Sequence, residues 1–221
     1  MTNQSGISPL NYYHLNKILD SNLAKQANKL PVKPWVSENL ANLTRAYNNR
    51  LQIKYGTIEK AMYKSGSLLY NIISNIRDKM LGSTNEIFVY STTNDYLVAM
   101  IQLLGLESQV KLLPFGSAII IELHKDTNEN YTVQVLLKTN KIDDPVKLEK
   151  VKINDCDMLC PIGEFRNATD DRVLTNHTEV CKLDEPTTTT PLTTTANTTT
   201  TVQLLTSYSP LKVECPTMNG N

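Results

Sequence analysis

Apolar positions recur at helical spacing in the first half of the chain and in extended runs after it. Leu40, Leu43, Tyr47, Leu51 and Tyr55 stand 3, 4, 4 and 4 residues apart, which puts them on one face of a helix. Ser37 precedes that face as a candidate N-cap, and Gly56 follows it where a C′ glycine belongs. A second helix is predicted from near Thr57, with the stripe Leu69, Ile72, Ile73, Ile76 and Met80 and a stop at Gly82. Gly66 inside it marks either a weak point or a close approach. Ile87-Phe88-Val89-Tyr90 is apolar without alternation, the pattern of a strand buried on both faces of a parallel sheet. Leu97, Val98, Met100, Ile101, Leu103 and Leu104 predict a buried helix that ends at Gly105. Beyond Pro114, residues 119–123 and 131–137 read as two strands of a hairpin turned by residues 126–130. Residues 139–185 read as mostly irregular. Residues 1–30 are polar and unpatterned and read as a flexible segment. Pro31 and Pro34 bracket an extended entry that Trp35 plugs against the body.

This order of elements predicts an α/β fold. A single buried strand does not make a parallel sheet, so its neighbours are expected from a part of the domain that this chain lacks. The body is assigned to residues 31–185, and residues 186–221 form a separate tail. Eleven of the fifteen residues from Thr187 to Thr201 are threonine. Such a run cannot bury a core and is expected to be disordered or extended. It has the composition of an O-glycosylated stalk.

Charge removes some classes of partner. The 221 residues carry 22 basic and 22 acidic side chains and a formal net charge of zero. No whole-protein field draws the chain to nucleic acid or to an anionic membrane. No apolar stretch approaches the roughly 20 residues that a bilayer crossing needs. Residues 1–6 show neither a basic flank nor an apolar core of a signal peptide. Six Asn-x-Ser/Thr sequons, at Asn3, Asn42, Asn130, Asn167, Asn176 and Asn197, nevertheless point to an exported body.

The segment from Phe88 to Asp95 is the most informative chemically. Where a strand ends and a helix begins, backbone N–H groups and the helix dipole favour an anion. Asp95 stands where a phosphate or a leaving group would be met. The plainer reading is that Asn94 or Asp95 caps the helix. His124 borders the predicted turn and is expected to be solvated. His177 lies inside a sequon and His14 in the polar start, and none of the three is assigned a catalytic role. Cys156 and Cys160 have the spacing of a small disulfide loop or of half a metal site. Zinc sites usually pair two such knuckles, and Cys181 and Cys215 stand alone, so a disulfide is favoured.

The stretch Val89-Tyr90-Ser91-Thr92-Thr93-Asn94-Asp95-Tyr96-Leu97-Val98 resembles the second motif of the histidine acid phosphatases, in which a strand ends in Tyr-Ser before a His-Asp pair and a helix. Leu113-Pro114-Phe115-Gly116-Ser117 before a strand holding Glu122-Leu123 is similar to a family stretch. So are Cys156-Asp157-Met158-Leu159-Cys160-Pro161 with Phe165, and, upstream, Trp35 and Tyr55-Gly56. The resemblance covers about residues 30–182. It implies a three-layer α/β/α histidine-phosphatase fold whose N-terminal half is missing here. It also implies a phosphomonoester substrate, no cofactor or metal, and an extracellular or lysosomal location. Cys181 would then pair with a cysteine in the absent half.

Two departures bear on chemistry. The family's Arg-His-Gly motif, whose histidine is the phosphorylated nucleophile, has no counterpart in the chain. The histidine of the second motif is missing too. With one extra residue in the alignment, Asn94 takes its place and Asp95 that of the proton donor; without it, Thr93 and Asn94 do. An amide cannot act as nucleophile or carry a proton, although it can donate a hydrogen bond to an oxyanion. A general acid alone, typically worth roughly 10²–10⁴-fold, has no covalent step to assist. The chain is therefore expected to be inactive as it stands. The alternative is a catalytically dead secreted or surface glycoprotein that uses the scaffold for binding.

Overall fold

The computed structural model describes residues 5–106, 111–139, 145–154 and 156–175. Cys181, Cys215, His177, the sequons at Asn3, Asn176 and Asn197, and the tail at 186–221 lie outside the described residues.

Helix α1, Tyr12–Ala27, begins at Asn11, whose side chain accepts from the His14 N–H. Its presence corrects the reading of residues 1–30 as flexible and without pattern. Leu15, Ile18, Leu19 and Leu23 do repeat at helical spacing, but polar residues dilute the stripe. Leu19 is fully buried with Val36 and Leu43, in a small cluster that also takes in Trp35, Leu40 and Tyr47. Trp35 thus plugs the chain entry as expected. It does so from a short helix α2, Pro34–Glu38, which contains Ser37 and so removes it from the capping role. Asn39 separates α2 from α3, Leu40–Tyr55, and its side-chain amide donates to the Trp35 carbonyl at 2.7 Å.

The α3 stripe faces inward as predicted, with Leu43, Leu51 and Tyr55 buried. Gly56 ends α3, but at φ −74, so no left-handed C′ glycine is used. Helix α4, Ile58–Met80, starts at Thr57, whose hydroxyl accepts from the Lys60 N–H. Gly82, at φ +100, lies just past its end. Gly66 is a place of close approach: a Cβ there would stand 3.0 Å from both the backbone N and the Cβ of Leu174. Helix α5, Asn94–Leu103, buries Val98, Ala99, Met100, Ile101 and Leu103. Gly105 follows at φ +59. The main core joins α3, α4 and α5 to the sheet through Leu51, Leu69, Val98, Ile101, Val133, Val135 and Phe165, among others. Each large apolar side chain sealed there contributes about 1.5–3 kcal/mol.

The hairpin is present: β1, Ala118–Lys125, pairs antiparallel with β2, Tyr131–Lys138, with Ala118 opposite Lys138. The turn is held by the Asp126 carboxylate, which accepts from the backbone N–H groups of Asn128 and Asn130 at 2.8 Å each. Strand β2 is the centre of the sheet, buried from Val133 to Leu137. Its second edge is shared by β3, Glu149–Val151, and β4, Cys160–Pro161, both antiparallel. Helix α6, Ile162–Thr169, follows at once. Residues 139–185 therefore hold more structure than the sequence pattern shows.

The fold is mixed helix and sheet, an α/β arrangement, and every strand pairing among the described residues is antiparallel. The strand predicted at Ile87-Phe88-Val89-Tyr90 is not formed. Ile87 is 82% and Val89 85% exposed, because no described strand lies beside them to pair with or cover them. No helix among the described residues is long and apolar enough to cross a membrane.

Cys156 and Cys160 form a disulfide. It closes a small loop at the end of the connection between β3 and β4 and includes the first residue of β4. Closing so small a loop, across a sequence separation of 4, is worth about 2 kcal/mol on the chain-entropy estimate. Cys156→Ala combined with Cys160→Ala is expected to lower unfolding stability by about that amount, read from urea unfolding of oxidised protein. A loss under about 0.5 kcal/mol would show that β4 keeps its place without the bond.

Candidate functional site

Asn94 and Asp95 are the first two residues of α5, and Thr93 is its N-cap. Neither predicted site residue caps the helix, and Thr93 makes no side-chain capping bond. Asp95 lies in the first turn, where the helix dipole favours a negative charge. Its Oδ2 accepts a hydrogen bond of 2.7 Å from the hydroxyl of Tyr55, at the last residue of α3. This bond crosses 40 positions of sequence and joins the end of one helix to the start of another.

Asn94 is tied to a third element. Its Oδ1 accepts from the Leu113 N–H at 3.1 Å. The neighbouring Leu112 N–H donates to Asn48 Oδ1 on α3 at 2.8 Å. The Leu113-Pro114-Phe115 segment is thus pinned beside the site from two helices. The bond to Leu113 fixes the amide orientation, so Nδ2 points elsewhere. There the amide lies against the Tyr47 hydroxyl, where it favours the phenolate, yet Nδ2 completes no aligned hydrogen bond and is shut away from solvent. A buried donor left in that state costs about 1–3 kcal/mol.

Electrostatically the group behaves as a unit. Burial pushes the Tyr55 phenol well above its usual range. Its hydrogen bond to Asp95 and the charge of that carboxylate push the same way, and Arg50 opposes them. Tyr47 is raised by burial first and by the Asp95 charge second, again against Arg50. The Arg50 guanidinium lies 5.8 Å from the centre of the Tyr47 ring. Two tyrosines and an arginine of α3 therefore surround the start of α5. Sequence reasoning took Tyr47 and Tyr55 for core positions and passed over Asn48 and Arg50. The available signal was the choice of Tyr rather than Leu at positions 47 and 55 of the α3 stripe, since a buried hydroxyl needs a partner.

Cys156 and Cys160 are not part of this group; they sit at the sheet edge in front of α6. A Glu164 carboxylate oxygen lies 3.2 Å from Cys156 Sγ, a contact and not a hydrogen bond, since a disulfide sulfur carries no proton. These three side chains could ligate a metal only with the disulfide reduced, because thiolates are the ligands. His124 lies on β1, half exposed, with Nε2 3.1 Å from Glu122. That is the solvated position expected of it.

No protein-family model matches the chain. Individual proteins do. The chain is 24% identical to bovine (Bos taurus) lysosomal acid phosphatase over 190 residues, 83% of this chain and 44% of that protein. It is 24% identical to human lysosomal acid phosphatase over the same shares. Against human testicular acid phosphatase it is 27% identical over 165 residues, 69% of this chain and 38% of that one. The relationship is acid phosphatase-like. The chain spans less than half the length of the curated relatives it matches.

A phenol held above its unfolded value adds stability that is complete below about pH 10 and lost as pH rises through the folded value. Tyr55→Phe is therefore expected to lower stability by about 1–2 kcal/mol near pH 7. The deficit should shrink above about pH 10, because only the parent protein then loses its Tyr55 contribution. Urea unfolding of both proteins from about pH 7 to 11 reads the difference. A deficit that stays constant across that range contradicts the coupling of Tyr55 to Asp95.

Proposed function

We propose that the chain is an acid phosphatase-like protein holding the general-acid side of a phosphomonoesterase site without its nucleophile. One observation carries the reading. A half-buried carboxylate stands in the first turn of a helix, within a segment that resembles the second motif of the histidine acid phosphatases. Helix N–H groups suit a phosphoryl oxygen. Asp95, when protonated, suits a leaving alkoxide. The similarity to lysosomal acid phosphatases supports a phosphomonoester substrate and a lysosomal or extracellular location.

The same residues limit what the chain does alone. Phosphoryl transfer to an imidazole needs a basic nitrogen beside the phosphate, and Asn94 offers an amide. No Arg-His-Gly occurs anywhere in the sequence. That motif, and the clamping cations that belong with it, would have to come from an N-terminal half of the domain. A second reading, a binding glycoprotein on a dead scaffold, is favoured by the tie between Tyr55 and Asp95. That bond serves to fasten two helices whether or not a substrate is present. The coding sequence flanking the chain separates the two readings. An intact Arg-His-Gly upstream supports the enzyme, and a degenerate one supports the binding protein.

The purified chain is expected to hydrolyse p-nitrophenyl phosphate at about pH 5 no faster than its Asp95→Ala variant. Asn94→His alone should not raise the rate. Joining an N-terminal half with an intact Arg-His-Gly, together with Asn94→His, should. Turnover by the bare chain that disappears in Asp95→Ala would show that a nucleophile is present within these residues.

A further inference from the structure

The disulfide at the sheet edge has a charge beside it that the site at α5 does not use. Cys156 is 6% exposed and Cys160 0%, so a reductant reaches the bond at Cys156 Sγ. Cys160 is shut in because it opens β4 and pairs with Val133, in the buried run of β2. A Glu164 carboxylate oxygen lies 3.2 Å from Cys156 Sγ and within 4.8 Å of Cys160 Sγ. Glu164 itself is exposed. It stands in the first turn of α6, where the helix dipole favours a carboxylate. Among the described residues no salt bridge takes up its charge. A negative charge is thus set against both sulfurs, on the side of the accessible one.

We propose that Glu164 guards the Cys156–Cys160 disulfide electrostatically against reduction by small thiols. Reduction begins when the sulfur of a thiolate attacks Cys156 Sγ. A bond forms between these two sulfurs, the Cys156–Cys160 bond breaks, and its electron pair leaves on Cys160 Sγ as a thiolate. A second small thiolate then attacks the outer sulfur of the mixed disulfide. It departs as the small-molecule disulfide and frees Cys156 as a thiolate. Each protein thiolate takes a proton from water, so the two small thiols are oxidised and the two cysteines reduced. Negative charge therefore arrives at Cys156, spreads over the sulfurs and comes to rest on Cys160, all beside the Glu164 carboxylate. The Cys160 thiolate is also formed out of water, which disfavours it further. Like unit charges about 4 Å apart change a rate by roughly 5-fold even at the dielectric of water, and by more where water is partly excluded. The proposal rests on the disulfide and its neighbours and not on the acid phosphatase-like reading, so the two fail separately.

The test follows reduction of the full 221-residue chain under excess monothiol. Two probes are used, mercaptoethanesulfonate with an anionic tail and cysteamine with a cationic one, and rates are compared per thiolate. Acid quenching, alkylation and the mass of the peptide that holds Cys156 and Cys160 give the rates. Glu164→Gln keeps the shape of the side chain and removes its charge. Mercaptoethanesulfonate should reduce that variant about 5-fold or more faster than the parent. Cysteamine should show a clearly smaller gain, because its cationic tail offsets the repulsion. Raising the salt to about 1 M should narrow the gap between parent and variant. Glu164→Asp, which retains the charge, should stay closer to the parent than to Glu164→Gln. Equal rates for the parent and Glu164→Gln overturn the proposal. So does a gain of the same size with both thiols that salt leaves unchanged, since Glu164 would then act by covering the sulfur and not by its charge. Alkylation of Cys156 and Cys160 without any reductant would show that there is no bond to guard and would overturn it equally.

Discussion

A ten-residue helix with almost no polar face cannot stand at a surface, and α5 is such a helix. Val98, Ile101 and Leu103 must be enclosed on several sides, so α3, α4 and the sheet are arranged around it. Enclosure raises a second demand, because buried polar groups on the helix need partners. Different elements supply several of them. Tyr55 of α3 bonds Asp95. The Leu113 N–H bonds Asn94. The hydroxyl of buried Ser65, on α4, donates to the Tyr96 carbonyl at 2.9 Å. At the other end, Arg172 donates from Nη1 to the Leu103 carbonyl at 2.8 Å, where a cation also suits the helix dipole. The fold is thus knotted together at the two ends of one apolar helix.

The candidate site follows from this arrangement. At the start of α5 the helix N-terminus, a carboxylate and an amide meet. The candidate site and the structural fastening then use the same atoms. Tyr55 occupies Asp95 Oδ2 and leaves Oδ1 without a described hydrogen bond. Asn94 uses Oδ1 to hold the 111–117 segment and turns its amide toward the Tyr47 hydroxyl.

A different constraint acts on residues 85–93. Their composition is that of a sheet interior, and the described sheet lies elsewhere, built on β2. Antiparallel pairing consumes both edges of β2: β1 takes one, and β3 with β4 takes the other. The four-residue run from Ile87 to Tyr90 is therefore left beside α4, tethered to it through Tyr90 to Asn75 and through Glu86 to Lys79, and open on its outer side.

Local patterning determined much of this chain by itself. The stripes of α3, α4 and α5, the hairpin and its Asp126 turn, and the glycines at 82 and 105 were all legible. Each depends on spacing within a few residues and on backbone sterics that neighbouring sequence fixes. The short Cys156–Cys160 loop was favoured for the same reason. Tertiary structure alone decided the rest. Leu15, Ile18, Leu19 and Leu23 became a helix face only because Val36 and Leu43 were there to receive it. Tyr55 became a site residue only because the fold carried Asp95 to within hydrogen-bond reach from 40 positions away. Ile87 to Tyr90 carried the pattern of a buried strand, but a strand is made by its neighbours. Main-chain pairing is a property of two segments, and one segment's sequence cannot supply it.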